Sequence, residues 1–278
     1  MMGPLLGPPR LIGLPYDASS SFLRGAAEAP APIREALWSP QGNPWTELGE
    51  DISSGDGLSD HGDLDLTDDP ATARAGIEAG VAAVYAAGHR PIALGGDHSV
   101  SHPILRAVAR VHPGTTILHV DAHADLYDVF EGDRYSHACP FARIMEEGLA
   151  SRLVQVGLRT ITPHQRDQME RFGVAVFDMR RWGRGERPST SGAVYLSIDL
   201  DGIDPAFAPG VSHREPGGLT VRDVIDLVHT VPGPIVGADV VEYNPRQDLQ
   251  GVTASVAGKI VKELAGRMMA DTRGRTRA

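Results

Sequence analysis

The strongest constraint on the fold of this chain is a repeated switch between short unbroken apolar runs and longer stretches of helical periodicity. LIGLP (11–15), RPIALG (90–95), TTILHV (115–120), LVQVGL (153–158), VAVFD (174–178), AVYLSI (193–198) and PIVGADVV (234–241) read as strands. Helix-like stretches lie between them, over 70–88, 102–111, 138–148, 163–172, 219–231 and 252–269. Strands that are apolar throughout and alternate with helices imply a parallel sheet covered on both faces. No composition break marks a linker and no internal repeat appears, so residues 1–278 read as one α/β domain. Hydrophobic residues make up 41% and charged residues 22%, enough for both a core and a solvated surface. The polar stretch 40–68 and the run 182–192 read as surface loops.

Charge and cysteine content narrow the partners. A formal net charge of -10 argues against nucleic acid. A single cysteine excludes an internal disulfide framework and fits a reducing compartment. The opening MMGPLLGPPR is too short and Pro-broken for a signal sequence, and no run approaches the roughly 20 apolar residues of a membrane span. The closing DTRGRTRA reads as a frayed basic tail. The expectation is a cytoplasmic protein with no membrane partner.

Three short segments carry the chemistry, each directly after an expected strand: Gly95-Gly96-Asp97-His98-Ser99, Asp121-Ala122-His123-Ala124-Asp125 and Asp199-Leu200-Asp201-Gly202. In extended chain, residues two apart point the same way, so Asp121, His123 and Asp125 converge, as do Asp199 and Asp201. Open α/β sheets build their sites at the carboxyl ends of strands. One such Asp alone reads as a turn residue or a helix cap. Six residues after three strands, with His98 completing them, read as metal ligands. Carboxylates with imidazoles suit Mn²⁺-like ions, and six donors suit two ions sharing carboxylates better than one tetrahedral zinc. Four carboxylates crowded together also need about two divalent cations to stay ionised.

With GGDHS, DAHAD and SIDLDGIDP in place, the chain resembles the ureohydrolase family of arginases, agmatinases and related amidinohydrolases. The resemblance runs from PYDASSSFLRGAAEAP to GADVVEYNPRQD and the last helix. FEGDRYSHACPFARIMEEG and PGVSHREPGGLT look most like plant-type arginases. It implies a single-domain, three-layer α/β/α arginase-like fold with a mostly parallel sheet of about eight strands, two Mn²⁺ per subunit, and a homo-oligomer, trimer or hexamer. His98, Asp121, Asp125 and Asp199 would hold one ion, and Asp121, His123, Asp199 and Asp201 the other. His137 matches the family's proton-shuttling histidine and Glu242 the carboxylate that pairs with a substrate guanidinium. Read without the family, His137 is a histidine at a helix start and Glu242 a solvated loop charge.

The activity implied is hydrolysis of the guanidinium group of L-arginine to urea and L-ornithine by a hydroxide bridging the two ions, with Asp125 moving the proton. Agmatine and 4-guanidinobutyrate are the alternative small cationic substrates, because the loop Leu126–Asp133 lacks the Asn and Ser/Thr pattern of animal and bacillus arginases. A single-zinc deacetylase-like hydrolase and a non-catalytic metal-binding protein are the rival classes. Cys139 carries no sign of nucleophilic chemistry. His119 reads as a buried, hydrogen-bonded strand residue, and His213 either faces the substrate or packs within its loop.

Overall fold

The computed structural model describes residues 6–274. Its strands are β1 (Pro9–Gly13), β2 (Ser59–Asp63), β3 (Arg90–Leu94), β4 (Thr116–Val120), β5 (Arg152–Val156), β6 (Ala175–Phe177), β7 (Val194–Asp199) and β8 (Ile235–Val241). They form one eight-stranded sheet in the order β2-β1-β3-β8-β7-β4-β5-β6, and every pair is parallel. The helices are α1 (Pro30–Leu37), α2 (Pro70–Ala86), α3 (Ser101–Val111), α4 (Pro140–Glu146), α5 (Pro163–Phe172), α6 (Met179–Gly183), α7 (Val221–Thr230) and α8 (Val252–Thr272).

Alternate residues of the same strands feed two separate cores. Leu118, Val120, Leu196, Ile198, Ala238 and Val240 pack against Ile33 and Leu37 of α1, Val224 and Leu227 of α7, and Ile260, Val261 and Leu264 of α8. Ile117, Leu153, Tyr195 and Val236 pack instead against Ile77 and Val81 of α2, Ile104 and Val108 of α3, and Phe141 and Ile144 of α4. Burial on both faces is why these strands read as continuous apolar runs. The three-layer α/β/α arrangement is the one expected, and the sheet is wholly parallel.

The seven expected strands all form, shifted by a residue or two. The eighth, β2, lies inside the stretch 40–68 read as a surface loop. Its sequence SDHGD is polar, and it sits at the sheet edge with residues half-buried or exposed, so it carries no apolar signature. Helices α1 and α6 were likewise not expected; both are short, at 8 and 5 residues, and α1 opens on a Pro-Ala-Pro turn. The basic tail begins later than read: α8 continues to Thr272, and Asp271 accepts the Ile235 N–H at 3.0 Å. Residues 275–278 lie outside the described residues.

Candidate metal centre and substrate pocket

The four central strands β3, β8, β7 and β4 are neighbours, and all the expected site residues except His137 follow their carboxyl ends. Local turns, not extended chain, bring the donors together. Asp97 accepts the Ser99 N–H at 3.0 Å, Asp121 that of His123 at 2.6 Å and Asp199 that of Asp201 at 2.7 Å. The same two-residue aspartate turn thus recurs after β3, β4 and β7. In Asp121 and Asp199 the turn uses Oδ1 for the backbone and leaves Oδ2 beside His98, whereas Asp97 Oδ2 accepts from the Ser19 N–H. Asp125 closes its segment in left-handed backbone, φ 49°. The convergence inferred from strand alternation is therefore real, but its cause is turn chemistry.

Two glycines permit this packing. Gly96 has φ 86°, and a Cβ there would lie 2.9 Å from the carbonyls of Leu14 and Tyr16. A Cβ on Gly202 would lie 2.8 Å from the Asp121 nitrogen, so only glycine lets the turn after β7 press against the segment after β4.

His98 Nδ1 stands 3.1 Å from Asp125 Oδ2, 3.1 Å from Asp199 Oδ2 and 3.3 Å from Asp121 Oδ2. His123 Nδ1 stands 3.1 Å from Asp201 Oδ2 and 3.4 Å from Asp121 Oδ1. The two oxygens of Asp121 therefore serve two adjoining clusters. Among the described residues, Asp121, His123 and Asp201 form one group with ligand atoms within 4.8 Å of one another, and His98, His119 and Asp121 form a second. His119 qualifies by distance only, because its nitrogens are taken by Gln155 at 3.0 Å and Asp121 at 2.8 Å. It is the buried, hydrogen-bonded residue expected. Asp125 and Asp199 are the better completing donors beside His98.

The electrostatics are those of a site short of positive charge. Burial, then the charges of Asp201 and Asp121, push the Asp199 carboxyl well above its ordinary range. Burial and Asp121 raise Asp201 to about 6. Against burial, Asp201 and Asp121 hold His123 up to about 12. Four buried carboxylates and two imidazoles, in two groups joined by Asp121, fit two oxygen-preferring divalent ions.

His137 and Glu242 are drawn into the same site. Glu242 directly follows β8 in left-handed backbone, φ 62°, a conformation costing on the order of 1 kcal/mol or more outside glycine. Its Oε1 accepts the His98 N–H at 2.9 Å and stands 3.0 Å from His137 Nδ1. His137 Nε2 lies 2.8 Å from Ser21 Oγ. Both are buried, so neither is the solvated group that sequence alone suggests. Against burial, the Glu242 bond and charge raise His137 to about 9.

These residues line a cavity of about 240 Å³ together with His123, Asp125, Asp199 and Asp201, the partly or fully exposed Tyr127, Phe130, Thr160, Thr162 and Glu215, and the buried Gln165. Five lining residues are acidic and none is Lys or Arg. His213 does face the pocket, its ring 5.4 Å from that of His137 and 5.9 Å from that of His123.

Three supports escaped the sequence reading. Asp97 lies inside the quoted GGDHS segment; it is fully buried, is raised to about 7 by burial and the Glu242 charge, and accepts the Ser19 N–H at 2.9 Å, tethering the loop that carries Ser21. Arg159 donates to the carbonyls of Asp201 and Gly202 at 2.6 and 3.0 Å, pinning the turn after β7. The third is a set of lone polar residues inside apolar strands, Gln155, Ser197 and Asp239, whose isolation was the available signal.

Comparison with known proteins agrees with this geometry. The family model described as Arginase family matches residues 9–266. The chain is 46% identical over 275 residues to Arginase 1, mitochondrial, of Arabidopsis thaliana, covering 93% of this chain and 80% of that protein. It is 45% identical over 274 residues to Arginase 2, chloroplastic/mitochondrial, of the same plant, covering 93% and 80%. The solved structure of arginase from Medicago truncatula superposes with a TM-score of 0.91 at 44% identity, covering 95% of this chain and 88% of that one. The organellar names of these relatives overturn the cytoplasmic placement expected above. One cysteine reports a reducing surrounding and does not distinguish one reducing compartment from another. With the family model spanning nearly the whole chain and the donor clusters at its strand ends, this protein belongs to the arginase family and is a ureohydrolase.

Proposed function

We propose that the chain hydrolyses the guanidinium group of L-arginine, giving urea and L-ornithine, at a centre of two Mn²⁺ ions. The observation that carries this reading is the acidic pocket in which the donor clusters and the His137–Glu242 pair face one cavity. His98, Asp121, Asp125 and Asp199 would hold one ion, and Asp121, His123, Asp199 and Asp201 the other. Bound there, the ions supply the Lewis acidity that makes water a nucleophile near neutral pH.

The protein's own groups do the rest. Glu242 offers a fixed, buried carboxylate to a planar cation, the geometry that suits a guanidinium. Asp125 accepts the proton released by the attacking water, and His137 delivers one to the departing amine. With its proton held up to about 9, His137 is charged and able to donate at neutral pH. The similarity to proteins named arginase, at 46% and 44% identity, supports arginine over agmatine or 4-guanidinobutyrate as the substrate. The hydroxyl of Thr160 and the carboxylate of Glu215 on the pocket lining are groups that an α-amino acid end can use. A homo-oligomer is part of the same reading, checked by the mass in solution.

The test is a Mn²⁺ titration followed by a urea assay on wild type and Asp199→Ala. Wild type is expected to bind two ions and release urea, and the variant to lose both properties. Full activity in Asp199→Ala with two ions bound would remove Asp199 from the centre.

A further inference from the structure

Four neighbouring strands each carry a buried polar residue flanked on both sides by apolar ones: Asp239 in β8, Ser197 in β7, His119 in β4 and Gln155 in β5. The register sets Ser197 opposite Asp239, His119 opposite Ser197 and Gln155 opposite His119. They form one continuous row across the sheet, on the face that packs against α2, α3 and α4. All four are fully buried, and two of them stand two residues before Asp199 and Asp121. A buried polar group costs stability unless it is hydrogen-bonded, so the direction of each bond matters.

Those directions can be assigned from chemistry. Gln155 Nε2 lies 2.6 Å from the Ala124 carbonyl, which can only accept, so this atom is the amide nitrogen. Its second hydrogen points to His119 Nδ1 at 3.0 Å. His119 Nδ1 is then bare, its proton is on Nε2, and Nε2 donates to Asp121 Oδ2 at 2.8 Å. The arrangement leaves Gln155 Oε1 buried without a hydrogen-bond partner, so the amide is held by its nitrogen alone. On the other side, Asp239 accepts hydroxyl hydrogens from Ser197 at 2.7 Å, Tyr195 at 2.8 Å and Ser101 at 2.9 Å. The only hydrogen of Ser197 is used there, so its Oγ accepts from His98 Nε2 at 3.0 Å. His98 Nδ1 is left as the nitrogen facing Asp121, Asp125 and Asp199.

We infer that this row positions the ligands of the cation site that includes His98: Gln155 and His119 fix the Asp121 carboxylate, while Asp239 and Ser197 hold the His98 ring with Nδ1 toward the ion. The inference rests on the two-ion reading above. None of the four residues lines the substrate cavity, so they are positioning residues, not catalytic ones. The Ser197–Asp239 half reaches the centre through His98 alone. The His123–Asp201 group is held separately, by the Ala122 N–H on Asp201 at 3.2 Å and by its own backbone turns. Removing the Ser197 hydroxyl therefore affects the two sites unequally.

The test is calorimetric Mn²⁺ titration of the full chain as wild type, Ser197→Ala and Ser197→Thr. Loss of a group that orients a ligating histidine lowers metal affinity about 10–100-fold. In Ser197→Ala one site is expected to weaken by that factor while the other stays within about threefold, and Ser197→Thr, which keeps the hydroxyl, restores it. Two unchanged sites, or two equally weakened, would overturn the inference. A wild type that binds no pair of ions would instead defeat the two-ion reading, and the inference with it. Should Ser197→Ala fail to fold, long-range ¹H–¹⁵N histidine spectra of wild type decide. His119 is expected with its proton on Nε2 and a bare Nδ1, and a proton found on Nδ1 would refute the assigned directions.

Discussion

Replacing Glu242 by Gln isolates the charge of the residue from its structural role. Glu242 Oε1 takes hydrogens from the His98 backbone and from His137 at 2.9 and 3.0 Å, and the amide oxygen of Gln can take both. The fold and the metal site should therefore persist, although the metal-free protein loses up to about 3 kcal/mol, the share of stability carried by the His137–Glu242 charge pair. What disappears is one buried negative charge, and an acceptor facing the substrate becomes an N–H donor. Truncating one partner of a buried, hydrogen-bonded charge pair costs about 2–5 kcal/mol. At about 1.4 kcal/mol per tenfold, the middle of that range lowers kcat/KM for arginine by about 10²–10³. His137 also changes, because the Glu242 bond and charge are the largest influences holding its proton up to about 9 against burial. Its titration should move down in the variant. The assay is urea release over pH 6–10 (roughly the span in which His is tuned) with metal content and melting temperature measured on the same samples. A loss under about fivefold, with folding and metal content intact, would refute the guanidinium-pairing role. Loss of metal or of fold would show Glu242 to be structural instead.

Other consequences follow from the same geometry. Gly202→Ala places a methyl 2.8 Å from the Asp121 nitrogen, so a destabilisation of about 1–3 kcal/mol and a clear fall in Mn²⁺ affinity are expected in a denaturation curve and a metal titration. In metal-free protein His137 is raised from 6.5 to about 9, so its contribution is complete below pH 6.5 and lost as pH rises through 9. Wild type should therefore lose stability relative to His137→Asn across that window, by on the order of 2–3 kcal/mol in urea melts; parallel curves would contradict it. Adding Mn²⁺ at about 1,000 times its Kd should stabilise the fold by about 4 kcal/mol per site, seen as a rise in melting temperature that a chelator reverses.

Much of this was legible because burial on both sheet faces writes strands as apolar runs, and because the ligands cluster in three segments directly after such runs. Strand β2 was not legible: an exposed polar edge strand is held by pairing with β1, which leaves no hydrophobic pattern. Helix α1 was hidden for a related reason, since its 8 residues span too few turns to show a period. Within the site, the donors could be named from residue type and spacing, but the means of their convergence could not. Asp121 and Asp199 act through two-residue turns, and Asp125 through left-handed backbone, none of which strand alternation anticipates. Asp97 and Arg159 work by holding loops distant in sequence, so their roles depend on tertiary contacts. The row of Gln155, His119, Ser197 and Asp239 was visible as lone polar residues, yet its meaning required the register of four strands.

The most direct test of the proposed activity is urea release by the Mn²⁺-loaded protein from L-arginine, agmatine and 4-guanidinobutyrate, compared as kcat/KM. Arginine is expected to lead clearly, with no urea formed after metal removal. Agmatine or 4-guanidinobutyrate ahead would keep the centre and reassign the substrate, whereas urea from none of the three would contradict the proposed chemistry.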